Sequence, residues 1–126
     1  MKTILIVEDN EKNMKLVRDI LRHAGHATLE ATTGLDGVGL AVAKRPDLVL
    51  MDIQLPDIDG IKALRRIREV RELDAVPVIA VSASVMPDDQ QKIVASGFDA
   101  FVTKPINLKQ FLETVTRFLT HGRAVR

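Results

Sequence analysis

Short apolar runs recur along the chain at regular spacing, and this pattern constrains its fold more than any other feature. Runs of four to six residues rich in Val, Ile and Leu are typical of strands that are buried on both faces. Between them, apolar residues recur at the three- and four-residue spacing of amphipathic helices. The predicted strands, of which the second has the weakest pattern, are residues 3–7, 27–31, 48–51, 76–81 and 100–103.

Strict alternation of strands and helices predicts an α/β fold with a parallel sheet, helices on both faces and right-handed crossovers. The 126 residues, 46% of them apolar, are enough for one domain with a substantial core. We find no internal repeat, linker or low-complexity segment. We therefore predict one domain over residues 1–126, with a core at about 3–120 and a polar tail at 121–126.

Capping signals delimit the predicted helices. Asn10 and Asn107 are good N-caps for the first and last helices, and Gly25 ends the first. The second helix contains three glycines, which lower its intrinsic propensity. Two helix faces stand out: an apolar one in the second helix, at Leu35, Val38 and Val42, and a basic one in the third, expected to be solvated, at Lys62, Arg65, Arg66 and Arg68.

Composition excludes several classes of function. The net charge is only +1, no basic run exceeds two residues, and aromatic residues make up 3%, so we expect no direct binding of nucleic acid. The absence of cysteine excludes disulfides, Cys-based zinc sites and thiol catalysis. No apolar run is long enough to span a membrane and no signal peptide is evident, so we expect no membrane association and a cytoplasmic location.

Polar residues follow the predicted strands where chemistry is expected. The carboxyl ends of parallel strands share one edge of the sheet, which is where open α/β sheets bind ligands. Asp52 ends the third strand, Glu8 and Asp9 follow the first, and Ser82 and Lys104 follow the fourth and fifth. If the strand order is 2-1-3-4-5, the three acids share one pocket; the sequence pattern alone leaves that order open.

Three carboxylates in one pocket repel each other and require compensation. A divalent cation with oxygen ligands, such as Mg²⁺, provides it, and Lys104 adds a fixed positive charge. The Ser82 hydroxyl can donate a hydrogen bond to an oxyanion. This set of groups fits phosphoryl transfer to a carboxylate, with Asp52 as the attacking nucleophile.

These residues, at this spacing, resemble the receiver domain of two-component response regulators over essentially the whole chain. A narrower resemblance is to single-domain cell-division regulators of that family. The stretches that carry the narrower resemblance are residues 5–10, 13–16, 51–56 and 111–114. The resemblance implies a doubly wound, flavodoxin-like or CheY-like (βα)₅ fold with a five-stranded parallel sheet in the order 2-1-3-4-5.

The resemblance also implies roles at the site. Asp52 is expected to be the phosphoacceptor. Mg²⁺, for which Mn²⁺ could substitute, is expected to be bound by the carboxylates of Asp9 and Asp52 and by the backbone carbonyl of Gln54. Glu8 is expected to hold a water bound to the metal.

Three further positions are assigned by the resemblance. Ser82, where Thr is more common, is expected to be the switch hydroxyl that moves onto the phosphoryl group, and Lys104 is expected to contact both the phosphoryl group and Asp52. The Lys104–Pro105 peptide bond is expected to be cis. Phe101 stands where the family carries a rotating aromatic, although a Phe in a short strand is also typical of a core, and both interpretations stay open. Gln54 and Ser84 are the positions expected to influence phosphoryl lifetime.

The function implied is that of a response regulator in a phosphorelay, with a switching role in cell-division control. The expected partners are a histidine kinase, a phosphatase or a histidine phosphotransfer protein, bound by a protein that is mostly monomeric, with a weak dimer as the alternative. It is expected to be a signalling phosphoacceptor rather than an enzyme, catalysing only its own phosphorylation and dephosphorylation. Contacts with partners are expected on the surface of the fourth helix, fifth strand and fifth helix.

Alternatives remain. The chain could be a receiver domain from a hybrid histidine kinase. An aspartyl-phosphate phosphatase is disfavoured, because such enzymes carry a second Asp two residues after the nucleophile, where this chain has Gln54. A nucleotide-binding module is disfavoured because the loop after the first strand is acidic and has no glycine motif.

Overall fold

Strands and helices alternate in the computed structural model, which describes residues 2–83 and 86–123. Five strands and five α-helices lie in these two ranges, with one 3₁₀ turn at Arg71–Leu73. The strands are β1 (Thr3–Val7), β2 (Ala27–Ala31), β3 (Leu48–Asp52), β4 (Val78–Ser82) and β5 (Ala100–Thr103). The helices are α1 (Glu11–His23), α2 (Gly34–Lys44), α3 (Gly60–Arg68), α4 (Pro87–Ala95) and α5 (Leu108–His121).

The sheet is parallel throughout and has the order β2-β1-β3-β4-β5, which confirms the predicted fold. β1 lies between β2 and β3, with Ile4 opposite Thr28 on one side and Leu48 on the other. At the carboxyl edge, Asp52 pairs with Val81 of β4. This register brings the loops after β1, β3, β4 and β5 to one edge of the sheet.

Two apolar layers hold the helices against the sheet. On one face, alternate strand residues such as Leu5 and Met51 pack with α2, α3 and α4. On the other face, the intervening residues, such as Ile6 and Leu50, pack with α1 and α5 through Phe111 and other side chains. Each such fully buried side chain stabilises the fold by about 1.5–3 kcal/mol relative to its exposed state.

Helix α2 packs most closely through its small residues, with Val38 and Leu40 half-buried beside them. Its buried residues are Gly34, Gly37 and Ala41. Of the apolar face noted in the sequence, Val38 packs against the core, whereas Leu35 and Val42 point to solvent and are 50% and 43% exposed. The reason is close packing on β1: a Cβ at position 37 would lie 2.7 Å from Cγ2 of Val7. Gly37, one of the glycines that weaken this helix, therefore also allows its approach to the sheet.

Two element boundaries differ from the sequence expectations. β4 begins at Val78 rather than at residue 76, because the N–H of Val76 instead closes a turn on the carbonyl of Leu73. The first residue of the predicted polar tail, His121, is the last residue of α5. Residues 124–126 of that tail lie outside the described residues.

The sequence predicted that Arg68 belongs to a solvated basic face, but in the structure its side chain is partly buried. Its guanidinium lies 3.1 Å from Oδ2 of Asp99, whose Oδ1 accepts a bond of 2.9 Å from Nε of Arg123. The side chain of Asp99 is only 8% exposed, and its Oδ2 also accepts the N–H of Val78. This buried carboxylate therefore joins α3, β4 and the segment after α5 at the edge of the sheet opposite the carboxyl ends.

Alanine substitutions at Gly37 and Gly39 are expected to have opposite effects. Gly37→Ala should lower the free energy of unfolding by about 1–3 kcal/mol, because its methyl group overlaps Val7. Gly39→Ala should raise it by about 0.5–1 kcal/mol, because a Cβ there meets nothing within 4 Å and Ala favours the helix. Urea unfolding of both variants measures the difference, and equal shifts would contradict this account of the packing.

Candidate functional site

The candidate site lies at the carboxyl edge of the sheet, where β1 and β3 are neighbours. Asp52, the last residue of β3, is 5% exposed, and Glu8, directly after β1, is 4% exposed. Asp9 is the next residue and is exposed. The 2-1-3-4-5 order thus places the two acids that follow β1 beside the acid that ends β3.

Lys104 binds two of these carboxylates at once. Its Nζ lies 3.0 Å from Oε1 of Glu8 and 3.1 Å from Oδ2 of Asp52. The other oxygens of these acids accept backbone N–H groups: Oδ1 of Asp52 from Gln54 at 3.1 Å, and Oε2 of Glu8 from Asn10 at 3.1 Å. The sequence predicted the contact with Asp52, whereas the equally short contact with Glu8 was not foreseen.

These contacts shift the proton affinities of two side chains. Burial, followed by the neighbouring Asp52 carboxylate, raises the pKa of Glu8 against the opposing effects of Lys104 and the N–H of Asn10. Burial alone would lower the pKa of Lys104, but its bonds and charge interactions with Glu8 and Asp52 outweigh it and raise that pKa. Lys104 therefore stays protonated as a fixed cation at neutral pH.

The acidic cluster has the chemistry of a site for a hard divalent cation. Glu8, Asp9 and Asp52 each offer a carboxylate oxygen, and these oxygens lie within 4.8 Å of one another. Among the residues that the structure describes, this is the only such group of three or more potential ligands. Its negative charge exceeds the single positive charge of Lys104. Oxygen donors with excess negative charge fit Mg²⁺.

Asp52 can be reached from solvent through two adjoining clefts. The first, of about 440 Å³, holds the acidic cluster and is lined by Glu8, Asp9, Asn10, Asn13, Asp52, Gln54, Leu55, Pro56 and Lys104. The second, of about 300 Å³, lies towards α4 and includes Ser82, which is 5% exposed at the end of β4. Asp52 and Gln54 line both clefts, so an incoming group can meet Asp52 beside the acids or beside the Ser82 hydroxyl.

The structure brings together most of the residues that the sequence singled out. Lys104 gathers two of the three acids, and the peptide bond between Lys104 and Pro105 is cis, as expected. Phe101 lines neither cleft; it is half-buried in β5 and packs against the core layer that α3 and α4 cover. Ser84 lies outside the described residues.

The loop between β3 and α3 folds back closely on the end of β3. The N–H of Gly60 donates to the carbonyl of Ile53 at 2.8 Å, and a Cβ at position 60 would lie 2.6 Å from the carbonyl oxygen of Asp52. Asp59 caps α3 by accepting the N–H of Lys62. Asp57 instead binds the start of α2, a contact that the sequence could not indicate because its partners lie 22 and 23 residues away.

Comparison with known proteins identifies the family. The sequence model of the response regulator receiver domain family matches residues 4–116, so the chain belongs to this family. It is a signalling module of two-component systems. In the described residues, no helix combines the length and the apolar character that crossing a membrane requires.

Curated relatives and solved structures agree with this assignment. The polar-differentiation response regulator DivK of Brucella anthropi is 43% identical over 118 residues, which cover 94% of this chain and 96% of DivK. DivK of Brucella ovis is 42% identical with the same coverage. The narrower resemblance noted in the sequence was to DivK, and these two relatives confirm it over most of the chain.

Two solved structures are similar in fold and sequence. The receiver domain of sensor histidine kinase PA1611 from Pseudomonas aeruginosa PAO1, with a magnesium ion coordinated in its active site cleft, gives a TM-score of 0.88 at 30% identity, covering 94% of this chain and 98% of that one. The Mn²⁺-bound response regulator Rcp1 gives 0.78 at 27% identity, with coverage of 96% and 94%.

Mg²⁺ is expected to stabilise this chain, because a ligand that binds only the folded state raises the free energy of unfolding. At ten times its Kd the gain is about 1.4 kcal/mol. Asp9→Asn should reduce this gain, and Asp88→Asn, which removes an exposed acid of α4, should not. Denaturant unfolding with and without Mg²⁺, at constant ionic strength, measures the effect.

The Mg²⁺ effect should also weaken as the pH falls. Because the pKa of Glu8 is raised, its carboxylate takes up a proton at a higher pH than an ordinary Glu, and that proton competes with the cation.

An equal Mg²⁺ effect in Asp9→Asn and the unmodified protein would contradict the assignment of the metal site.

Proposed function

We propose that this chain is a phosphorylation switch of a two-component phosphorelay, in which Asp52 accepts a phosphoryl group from a histidine kinase or a histidine phosphotransfer protein. The main support is the position of the Asp52 carboxylate: it is buried, bound to Lys104 at 3.1 Å, and part of a cluster of three acids. A positioned carboxylate nucleophile next to a fixed cation and potential metal ligands suits this reaction.

The transfer is a displacement at phosphorus. An oxygen of the Asp52 carboxylate attacks the phosphorus of phosphohistidine, a P–O bond forms, and the P–N bond breaks, with its electron pair leaving on the imidazole nitrogen. Lys104, which already contacts Asp52, would donate a hydrogen bond to a phosphoryl oxygen, and the Ser82 hydroxyl would donate another from the second cleft.

The residues present fit the metal that the family uses. We propose that the carboxylates of Asp9 and Asp52 and the backbone carbonyl of Gln54 hold Mg²⁺, with Glu8 acting through a water and Mn²⁺ as a substitute. When bound, the cation would neutralise charge on the phosphoryl oxygens. The metal-bound PA1611 and Rcp1 structures support this proposal by similarity.

We further propose that the output is a change in protein–protein contacts rather than turnover of a substrate. The only reactions catalysed would be phosphorylation and dephosphorylation of Asp52. The surface of α4, β5 and α5 suits partner binding, because it exposes the apolar side chains of Met86, Val94 and Leu108 and carries the half-buried Phe101. A rotation of Phe101 on phosphorylation is part of this proposal.

The pathway proposed is control of cell division or polarity, as in the DivK relatives. Their 43% identity exceeds the 30% and 28% identity of the similar receiver domains of histidine kinases, which favours a free-standing regulator over part of a hybrid kinase. The protein would then be cytoplasmic and mostly monomeric, and its partners would be histidine kinases, phosphatases or phosphotransfer proteins.

Phosphorylation is tested by intact mass measurement after incubation with Mg²⁺ and a small phosphodonor. The unmodified protein should gain one phosphoryl group, and Asp52→Asn should gain none, because an amide oxygen is a far weaker nucleophile than a carboxylate. Asp59→Asn is the matched control: it removes an acid of the same loop, and Asn can still cap α3. An adduct on Asp52→Asn would exclude Asp52 as the acceptor.

State-dependent binding is the second requirement of a switch. A histidine kinase or phosphotransfer protein of the same organism, titrated with phosphorylated and unmodified chains, should show affinities that differ by about tenfold. Asp52→Asn, treated with the same phosphodonor, should keep the affinity of the unmodified chain. Equal affinities for the two states would refute the switch, because a ligand that does not distinguish them shifts no equilibrium.

A further inference from the structure

The loop between β3 and α3 is fastened to a distant helix by one side chain. Oδ1 of Asp57 accepts the N–H of Gly34 at 2.8 Å, and Oδ2 accepts the N–H of Leu35 at 2.9 Å. These donors are the first two residues of α2. Both oxygens of an acid in the site loop are therefore bound to the N-terminus of another element.

Asp57 completes the capping of α2. The first four N–H groups of a helix have no partner within it. In α2 the first regular helical bond runs from the N–H of Gly37 to the carbonyl of Thr33 at 3.0 Å, which leaves the N–H groups of Gly34, Leu35 and Asp36 without a helical partner. The hydroxyl of Thr33 accepts that of Asp36 at 3.1 Å. Asp57 accepts the other two, and because α2 is rich in glycine its stability depends strongly on such contacts.

The charge of Asp57 strengthens this link. The N–H of Leu35, foremost among several backbone donors, lowers the pKa of the Asp57 carboxyl, so both oxygens act as acceptors at neutral pH. A carboxylate at a helix N-terminus also interacts favourably with the helix dipole. The loop is thus held to α2 by two charge-assisted hydrogen bonds.

The same loop carries a proposed metal ligand. Gln54 lies three residues before Asp57, and its N–H binds Asp52 while its carbonyl is the proposed backbone ligand of Mg²⁺. The far end of the loop is closed by Gly60 on Ile53 and by the Asp59 cap of α3. Asp57 therefore supplies a lateral attachment between these two ends, to an element outside the loop.

We propose that Asp57 is a positioning residue for the metal site: by tying the loop to α2, it keeps the carbonyl of Gln54 in the geometry that Mg²⁺ requires. This role rests on the proposed function, because it assumes that Gln54 is a ligand. Groups outside the coordination shell that orient the ligands contribute strongly to metal affinity. The coupling is reciprocal, so metal binding also alters the surroundings of the Gly34 and Leu35 N–H groups.

The test is an NMR titration with Mg²⁺ of the unmodified protein, Asp57→Ala and Asp57→Asn. Asp57→Ala should bind Mg²⁺ about tenfold more weakly, and Asp57→Asn, which keeps one acceptor oxygen, should lie between the two. In the unmodified protein, the amide signals of Gly34 and Leu35 should shift with Mg²⁺. In Asp57→Ala this shift should be lost.

Two control variants separate positioning from other effects. Thr33→Ala removes the other side-chain cap of α2 without releasing the loop, so it should lower stability but leave Mg²⁺ affinity unchanged. Asp59→Asn removes one negative charge from the same loop and keeps an oxygen for the α3 cap, so it reports the effect of charge alone.

Three outcomes would overturn the role of Asp57. They are an unchanged Mg²⁺ affinity in Asp57→Ala, an equal loss in Thr33→Ala, and an equal loss in Asp59→Asn. If Asp57→Ala does not fold, the milder Asp57→Asn carries the same comparison. Absence of Mg²⁺ binding in the unmodified protein would instead overturn the proposed metal site and, with it, this role.

Discussion

The site depends on one interaction: the ammonium group of Lys104 forms ion pairs with two buried carboxylates. A parallel sheet in this strand order brings Glu8 and Asp52 together at one edge, and like charges in a buried place repel each other. Lys104 offsets that repulsion with contacts of 3.0 and 3.1 Å. Removing the ammonium group of Lys104 would leave two buried carboxylates without compensation, which is strongly destabilising.

The same lysine links the resting cluster to the proposed chemistry. A phosphoryl group on Asp52 would add negative charge where Lys104 already lies, so the cation can transfer its hydrogen bonds without first being brought to the site. Burying the acids at this edge costs free energy, but it also holds Lys104 where the phosphoryl oxygens would lie. Sites that carry out phosphoryl transfer are mostly positioning and electrostatics, and this one consists of little else.

Stability away from the site depends on a different arrangement of charges. At the opposite edge of the sheet, Asp99 is bound by Arg68 and Arg123, so a buried acid is compensated by two guanidinium groups. At the carboxyl edge, by contrast, three acids face the single positive charge of Lys104, and this is where a divalent cation is proposed to bind.

The N-termini of the helices show which contacts a sequence can reveal. Asn10 and Asn107 cap α1 and α5 by accepting N–H groups three residues ahead, so the signal and its partner lie in one short segment, and both caps were predicted. Asp57 caps α2 from a loop more than twenty residues later. The sequence does not reveal this contact, because no local pattern distinguishes a turn acid from a distant cap.

The sequence by itself determined the elements and the chemistry at their ends. Apolar runs and helical spacing depend on local contacts, and the residues after the strands, with their resemblance to a known family, identified Asp52 and its companions. Only the tertiary structure decided which distant groups meet: the contact of Lys104 with Glu8, the packing of Gly37 on Val7, the inward turn of Arg68 and the cap from Asp57. These contacts join segments that are far apart in the chain. Val7 requires a small residue at position 37, and the Asp57 carboxylate reaches the start of α2, and neither contact leaves a pattern in the local sequence.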